Sequence, residues 1–167
     1  MRLFIAINLN KKMKERLIGM QEELYAQGIR GNVTKPENMH LTLAFIGDYP
    51  DSDEVIEIIE GISFRPFALK IEGKGAFGDL WWAGLEKSEP LQALVKKLRH
   101  RLADAGIPFD RKKFTPHITL IRRAKQVSKP SPRSRAAAGG AAEMTVDHIS
   151  LMRSDRGKNG MVYTELT

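Results

Sequence analysis

Apolar positions along the chain follow two periods, one typical of strands and one typical of helices. Short apolar or alternating runs predict strands, which lie at residues 3–9, 40–46, 67–71, 80–85, 117–121, 146–152 and 161–166. Apolar residues three or four positions apart predict three helices, which run from Asn10 to near Gly28, over residues 51–60, and from Ser88 to near Gly106. The other segments predict connections, namely residues 31–39, a glycine-rich turn at residues 73–78 and a mobile loop at residues 124–142.

The order of these elements predicts the class of fold. Strands and helices alternate, so we expect an α/β or α+β protein. Each half contains, in order, a strand, a helix, a connection and a strand that bears a histidine, which indicates an internal duplication. A length of 167 residues is close to that of one domain, so we expect residues 1–167 to form a single domain.

Charge and composition narrow the classes of function. The formal net charge is +7, and residues 111–135 contain nine basic residues and no acidic residue. Such a concentrated basic surface favours a polyanionic partner, although a bare run of charges is more often a solvated loop. Cysteine is absent, which excludes disulfides, Cys-ligated zinc and thiol nucleophiles. Because the sequence also contains no apolar run of membrane-spanning length and no signal peptide, we expect a cytoplasmic protein with no membrane partner.

A duplicated motif is the strongest chemical signal in the sequence. Two of the four histidines lie in matching segments, HLTL at residues 40–43 and HITL at residues 117–120, which begin 77 positions apart. Two such matches among four histidines would arise by chance in about one case in ten thousand. The pair therefore indicates a function rather than a coincidence of composition.

The spacing within the motif indicates acid–base chemistry on a phosphate. Side chains two residues apart on a strand point the same way, so each strand presents an imidazole together with a hydroxyl. If the two strands meet across a cleft, His40, Thr42, His117 and Thr119 would surround a tetrahedral oxyanion. One neutral imidazole could accept a proton from the attacking oxygen while the other, charged, donates one to the leaving oxygen. This chemistry requires no metal ion, and we expect neither a metal nor another cofactor.

Two further candidates each lie five positions after a motif histidine. Arg122 stands at this distance from His117 and therefore faces the opposite side of a regular strand. Its guanidinium can stabilise phosphate charge only if the strand twists or bulges. Phe45 has the same spacing from His40 and is either a core residue or a platform for a nucleobase.

The remaining aromatic and histidine residues have weaker signals. Trp81 and Trp82 alternate across a strand, so one should face the core and the other the opposite surface, where it could stack on a base. Core packing is the more common role of such residues. His100 lies between two arginines of a helix and is expected to be exposed, and His148 is expected to be structural.

These residues resemble the RNA 2′,3′-cyclic phosphodiesterase family, also called 2′-5′ RNA ligases, within the 2H phosphoesterase superfamily. The resemblance begins with RLFIAI at the N terminus and includes PENM before HLTLAFIG, the WAGL strand, and TP before HITLIR. It ends with residues 149–154 and the strand around Tyr163, and it is weakest over residues 125–142. Two His-x-Thr-x motifs half a chain apart are highly specific for this superfamily.

The resemblance implies a fold and a set of roles. The fold would be α+β and bilobal, with two pseudo-symmetric antiparallel sheets flanking a central cleft and helices outside. His40 would be the proton donor and His117 the proton acceptor. The residues that hold the substrate and its phosphate would be Thr42, Thr119, Arg122 and Phe45.

The implied activity is metal-independent hydrolysis of RNA 2′,3′-cyclic phosphate ends to 2′-phosphomonoesters, with reversible 2′-5′ ligation as a companion reaction. The partner would be RNA with such ends, tRNA fragments included, and the protein is expected to be a monomer. Two alternatives stay open. One is a phosphodiesterase of the same superfamily that acts on cyclic mononucleotides or 2′-5′ oligonucleotides, and the other is a module that binds RNA without catalysis.

Overall fold

A computed structural model of the protein describes residues 1–129 and 142–167. In chain order the elements are β1 (Arg2–Asn8), α1 (Lys11–Ala26), β2 (Ile29–Val33), a 3-10 turn (Pro36–Asn38), β3 (His40–Asp48), α2 (Ser52–Glu60), β4 (Phe67–Phe77), β5 (Leu80–Leu85), α3 (Glu89–Asp104), β6 (His117–Gln126), β7 (Glu143–Val146), β8 (Ser150–Gly157) and β9 (Gly160–Glu165).

The strands form two antiparallel sheets. One has the order β3-β1-β8-β9 and the other the order β2-β6-β5-β4-β7. Helix α1 contacts β2, β6 and β7 of the five-stranded sheet, whereas α2 contacts β8 and α3 contacts β3 of the four-stranded sheet. Strands β3 and β6, which carry the two motifs, contact each other where the sheets meet. The predicted α+β fold with two antiparallel sheets is confirmed.

Polar side chains cap the start of each helix. The Asn10 side chain accepts a hydrogen bond from the Met13 backbone N–H at 2.9 Å, which caps α1. Ser88 accepts from Leu91 at 3.2 Å at the start of α3. Asp51 caps α2 and accepts a hydrogen bond from the Glu54 backbone N–H. The predicted apolar face of α1 is buried and comprises Met13, Leu17, Met20 and Leu24.

Two predictions about strands were wrong. Strand β2 overlaps the connection that the sequence predicted from residue 31 onward. It is an edge strand in which only Ile29 is buried, so its sequence lacks the alternating pattern that would predict a strand. The single strand predicted over residues 146–152 is two strands. Residues 147–149 carry the chain from β7 in the five-stranded sheet to β8 in the other.

Two predicted connections were also wrong in part. The glycine-rich segment over residues 73–78 is mostly strand, because β4 continues to Phe77. A Cβ at Gly75 would overlap the ring of Trp82, so glycine is needed there for the indole to cross the strand. Of the loop predicted over residues 124–142, residues 124–126 belong to β6, and residues 130–141 lie outside the described part of the chain.

The main core lies between the sheets and their helices, and the four-stranded sheet has a second apolar cluster on its other face. This smaller cluster comprises Phe4, Ala6 and Met152, with Tyr163 packed against it. It borders the motif histidine of β3, since the rings of Phe4 and His40 lie 4.8 Å apart. Within the described residues, the helices are too short or too polar to cross a bilayer.

We expect Gly75→Ala and Gly19→Ala to change stability in opposite directions. The new methyl group at position 75 would collide with the Trp82 ring and cost about 1–3 kcal/mol. Gly19 lies within α1 with room for a methyl group, so alanine there should add about 0.5–1 kcal/mol through helix propensity. Urea unfolding measures both, and equal stability of the two variants would contradict the close packing of Trp82 on β4.

Candidate functional site

Strand β3 contains a bulge at the last residue of its motif. Thr42 is the partner of Ala6 in β1 and Ala44 is the partner of Ile5, so Leu43 is an extra residue without a partner of its own. Leu43 and Ala44 are consequently both buried. The alternation shifts by one residue beyond this point, which places Phe45 on the cleft-facing side of the strand.

Strand β6 contains the corresponding bulge. Thr119 is the partner of Trp82 in β5 and Ile121 is the partner of Trp81, so Leu120 is the extra residue. Leu120 and Ile121 are both buried. Arg122 therefore faces the cleft. The sequence predicted that the Arg122 guanidinium could reach a bound phosphate only with such a distortion of the strand.

The two strands border one cleft with a volume of about 960 Å³. All six site residues predicted from the sequence line it: His40, Thr42, Phe45, His117, Thr119 and Arg122. The sequence did not indicate the other residues of the wall, because they come from several different strands and connections and lack a shared motif. Among them are two cationic and two aromatic side chains, namely Arg2, Lys35, Phe4 and Tyr163.

Backbone carbonyl groups orient both imidazoles in the same way. Nδ1 of His40 lies 2.8 Å from the Asn38 carbonyl oxygen, and Nδ1 of His117 lies 2.7 Å from the Thr115 carbonyl oxygen. A carbonyl oxygen only accepts, so each Nδ1 must carry the hydrogen and donate it. Nε2 is therefore the nitrogen that gains or loses a proton in each ring, as a donor–acceptor pair requires.

The surroundings of His40 disfavour its charged form. Its ring lies 5.2 Å from that of Tyr163, in edge contact, as well as against Phe4. The pKa of His40 is lowered from 6.5 to about 4, mainly because the ring is buried. The hydrogen bond to Asn38 opposes this shift, and the positive charges of Arg122 and Lys14 contribute to it. In the ligand-free protein His40 is therefore neutral at neutral pH.

Helix side chains hold the carbonyl groups of the two bulge residues. Gln21 of α1, which is buried, donates through Nε2 to the Leu120 oxygen at 3.0 Å and to the Thr34 oxygen at 2.9 Å. Arg99 of α3 donates through Nη2 to the Leu43 oxygen at 3.2 Å. Gln21 could have been suspected from the sequence as a polar residue on a buried helix face, whereas nothing in the sequence distinguishes Arg99.

The two tryptophans and the other two histidines are not among the residues that line the cleft. Trp81 packs on the core, and Trp82, the cross-strand partner of Thr119, lies on the opposite face of β5. His100 is exposed beside Asp104, and His148 is exposed beside its neighbour Asp147. Neither histidine lines the cleft. In residues 1–129 and 142–167, we find no group of three or more His, Cys, Asp or Glu side chains that could hold a metal ion.

Comparison with known proteins shows the same pattern over most of the chain. The sequence model of the 2′-5′ RNA ligase superfamily matches residues 22–158. The chain belongs to this superfamily. An RNA 2′,3′-cyclic phosphodiesterase of Thermotoga maritima is 31% identical over 176 residues, covering 99% of this chain and 93% of the relative. One of Thermus thermophilus is 32% identical, with coverage of 99% and 88%.

Solved structures of the superfamily share the fold. The crystal structure of TT0787 of Thermus thermophilus matches with a TM-score of 0.80 and 29% identity, covering 100% of this chain and 96% of that chain. LigT of Escherichia coli in complex with 3′-AMP matches with a TM-score of 0.78 and 26% identity, with coverage of 99% and 94%. The expectation that this 2′-5′ RNA ligase superfamily member is an enzyme is confirmed by its curated relatives.

We expect His40 to titrate near pH 4 in the free protein and at a higher pH when inorganic phosphate occupies the cleft. Burial favours the neutral ring, and a nearby anion favours the imidazolium. NMR of the ring carbons measures the midpoint, with His40→Gln to assign the signal. A midpoint near 6.5 without phosphate, or no change with phosphate, would contradict this view of the site.

We expect Gln21→Leu to weaken binding of inorganic phosphate by about tenfold. Loss of the hydrogen bond to the Leu120 carbonyl frees the bulge in β6, and Arg122 then no longer points reliably into the cleft. Calorimetric titration measures the dissociation constant. Lys97→Met is the matched control, because Lys97 of α3 also donates to a backbone carbonyl, that of Ser63, outside the cleft wall. Equal affinities of the two variants would argue against this role of Gln21.

Proposed function

We propose that the protein hydrolyses the 2′,3′-cyclic phosphate at the end of an RNA to a 2′-phosphomonoester without a metal ion. One observation carries the proposal: two imidazoles with the same orientation, each accompanied by a threonine, line a single cleft. The names of the relatives from Thermotoga, Thermus and Escherichia support the choice of substrate.

In the proposed reaction the two histidines have complementary roles. Nε2 of His117 accepts a proton from water as the water oxygen forms a bond to phosphorus. The bond between phosphorus and the 3′ oxygen breaks, and Nε2 of His40 donates a proton to that oxygen. The hydroxyl groups of Thr42 and Thr119 donate hydrogen bonds to the non-bridging oxygens, and the Arg122 guanidinium stabilises the charge on them.

The donor role of His40 depends on the substrate itself. In the free protein burial holds the pKa of His40 near 4, so the ring lacks the proton that a donor needs. A cyclic phosphate carries a negative charge, and its presence beside the ring stabilises the imidazolium. Proton uptake by His40 would therefore accompany binding of the anion.

Positive charge around the cleft supports an RNA substrate. Arg2 and Lys35 line the cleft together with Arg122, and the chain carries nine basic residues over residues 111–135. Such charges attract the phosphates of a polynucleotide. We therefore propose RNA ends, including those of tRNA fragments, as the partners, and a monomer as the state of the protein. When a 5′-hydroxyl replaces water as the attacking group, the companion reaction is 2′-5′ ligation.

We expect His40→Ala and His117→Ala each to reduce turnover of a 2′,3′-cyclic-phosphate oligonucleotide by about 10²–10⁴-fold, because each removes one member of the acid–base pair. His100→Ala and His148→Ala are matched controls, since both side chains are exposed outside the cleft. The assay follows the rate in excess chelator and maps the product end. Wild-type activity should persist, with a 2′-phosphate as product.

Other outcomes would decide between the alternatives. Near-normal rates in either cleft variant would refute the two-histidine mechanism, and a 3′-phosphate product would reverse the roles across the ribose. A strict need for metal would count against the scheme. Faster turnover of cyclic mononucleotides or 2′-5′ oligonucleotides would favour a different substrate within the superfamily, and tight RNA binding without turnover would favour a binding module.

A further inference from the structure

An exposed aromatic ring borders His117 and has no role in the proposed hydrolysis. Phe77, at the end of β4, is 52% exposed. Its ring centroid lies 5.7 Å from that of His117, with the two planes nearly perpendicular at 84°. A flat aromatic face that is open to solvent beside this imidazole is available for stacking by a base bound next to it.

The position of Phe77 is fixed by its neighbours. Its ring packs on Trp82 with centroids 5.1 Å apart, and Trp82 in turn lies across Gly75. The turn that follows Phe77 is tied to β6, because the Asp79 carbonyl accepts a hydrogen bond from the Ala124 N–H at 2.8 Å. The aromatic face is therefore in place before any ligand arrives, which reduces the entropy lost on binding.

The two histidines have different surroundings, and this difference places Phe77 on the side of the cleft from which the attacking oxygen would approach. His40, the proposed donor to the 3′ oxygen of the cyclic end, is enclosed by Phe4 and Tyr163. His117, the proposed acceptor from the attacking oxygen, has Phe77 beside it. A platform on the acceptor side is unnecessary for water but suits an attacking group that carries a base.

We propose that Phe77, supported by Trp82, stacks the first base of a second RNA whose 5′-hydroxyl attacks the cyclic phosphate. This inference rests on the proposed function and adds a binding site for the attacking strand. Base stacking on an aromatic ring tolerates any sequence, since every base has a flat face. Arg123 is exposed and precedes Ala124, whose N–H is bonded to the turn after Phe77, so its positive charge lies near this turn and can attract the phosphates of the second RNA. Asp79 is an acidic residue in the same turn.

The reaction at this site balances without another reactant. The 5′-hydroxyl gives its proton to Nε2 of His117 while its oxygen forms a bond to phosphorus. The bond from phosphorus to the 3′ oxygen breaks, and that oxygen takes the proton of His40. The products are a 2′-5′ phosphodiester and a free 3′-hydroxyl, and no water is consumed.

The test measures how the enzyme divides one donor between two products. A 2′,3′-cyclic-phosphate oligonucleotide is incubated with an oligonucleotide that has a 5′-hydroxyl, and the ratio of joined to hydrolysed product is determined. We expect Phe77→Ala to lower this ratio by about tenfold, which is the scale of one lost base–aromatic stack. Both products depend on His117, so the ratio separates a binding defect from damage to the acid–base pair.

Three variants sharpen the comparison. Phe77→Trp keeps a flat face and should retain the wild-type ratio, whereas Phe77→Leu keeps apolar bulk without that face and should behave like Phe77→Ala. Tyr25→Ala removes another exposed aromatic ring, which lies outside the cleft under Arg30, and should leave the ratio unchanged. In a second readout, a 5′-hydroxyl oligonucleotide that lacks the cyclic phosphate should inhibit hydrolysis, with an inhibition constant about tenfold higher in Phe77→Ala.

The results that overturn the inference differ from those that overturn the proposed function. If wild-type protein hydrolyses the cyclic end to a 2′-phosphate but neither joins nor is inhibited by the 5′-hydroxyl strand, only the second-strand site is wrong. If Phe77→Ala lowers joining and hydrolysis equally, Phe77 serves the donor strand or His117 instead. Absence of both products from the wild type would overturn both proposals.

Discussion

The site depends on one extra residue in each of two strands. Side chains on a regular strand alternate, so a residue five positions after a cleft-facing histidine would point into the core. The additional residues Leu43 and Leu120 reverse this and bring Phe45 and Arg122 into the cleft. Side chains from α3 and α1 donate hydrogen bonds to the carbonyl groups of these two residues, so the outer helices help to hold the two bulges in place.

The electrostatic state of the cleft follows from the same arrangement. The bulge that turns Arg122 inward also puts a positive charge near an imidazole that is already partly removed from water. Such a pocket is unfavourable for a second positive charge on His40 and favourable for an anion. A bound anion offsets the positive charge of Arg122 and stabilises the charged form of His40. Phosphate binding should therefore favour protonation of His40, and protonation of His40 should favour phosphate binding.

Features that depend on local sequence patterns could be predicted from the sequence. Features that depend on contacts between residues far apart in the chain could not. The motif spacing, the helix caps and the apolar faces are local, and they placed His40, His117 and the three helices. The bulges depend on register against β1 and β5, so the sequence could state only that Arg122 needed one. Phe4 and Tyr163 were missed because only the pairing of the strands brings them beside His40.

The interleaving of the chain between the sheets has a consequence for how the enzyme is made. Strand β1 lies between β3 and β8, and Arg2 pairs with Ser154 near the other end of the chain. Closing so long a loop is slow compared with forming local turns. During synthesis one edge of β1 stays unpaired until β8 has emerged from the ribosome, and an unpaired edge can associate with other chains in the meantime.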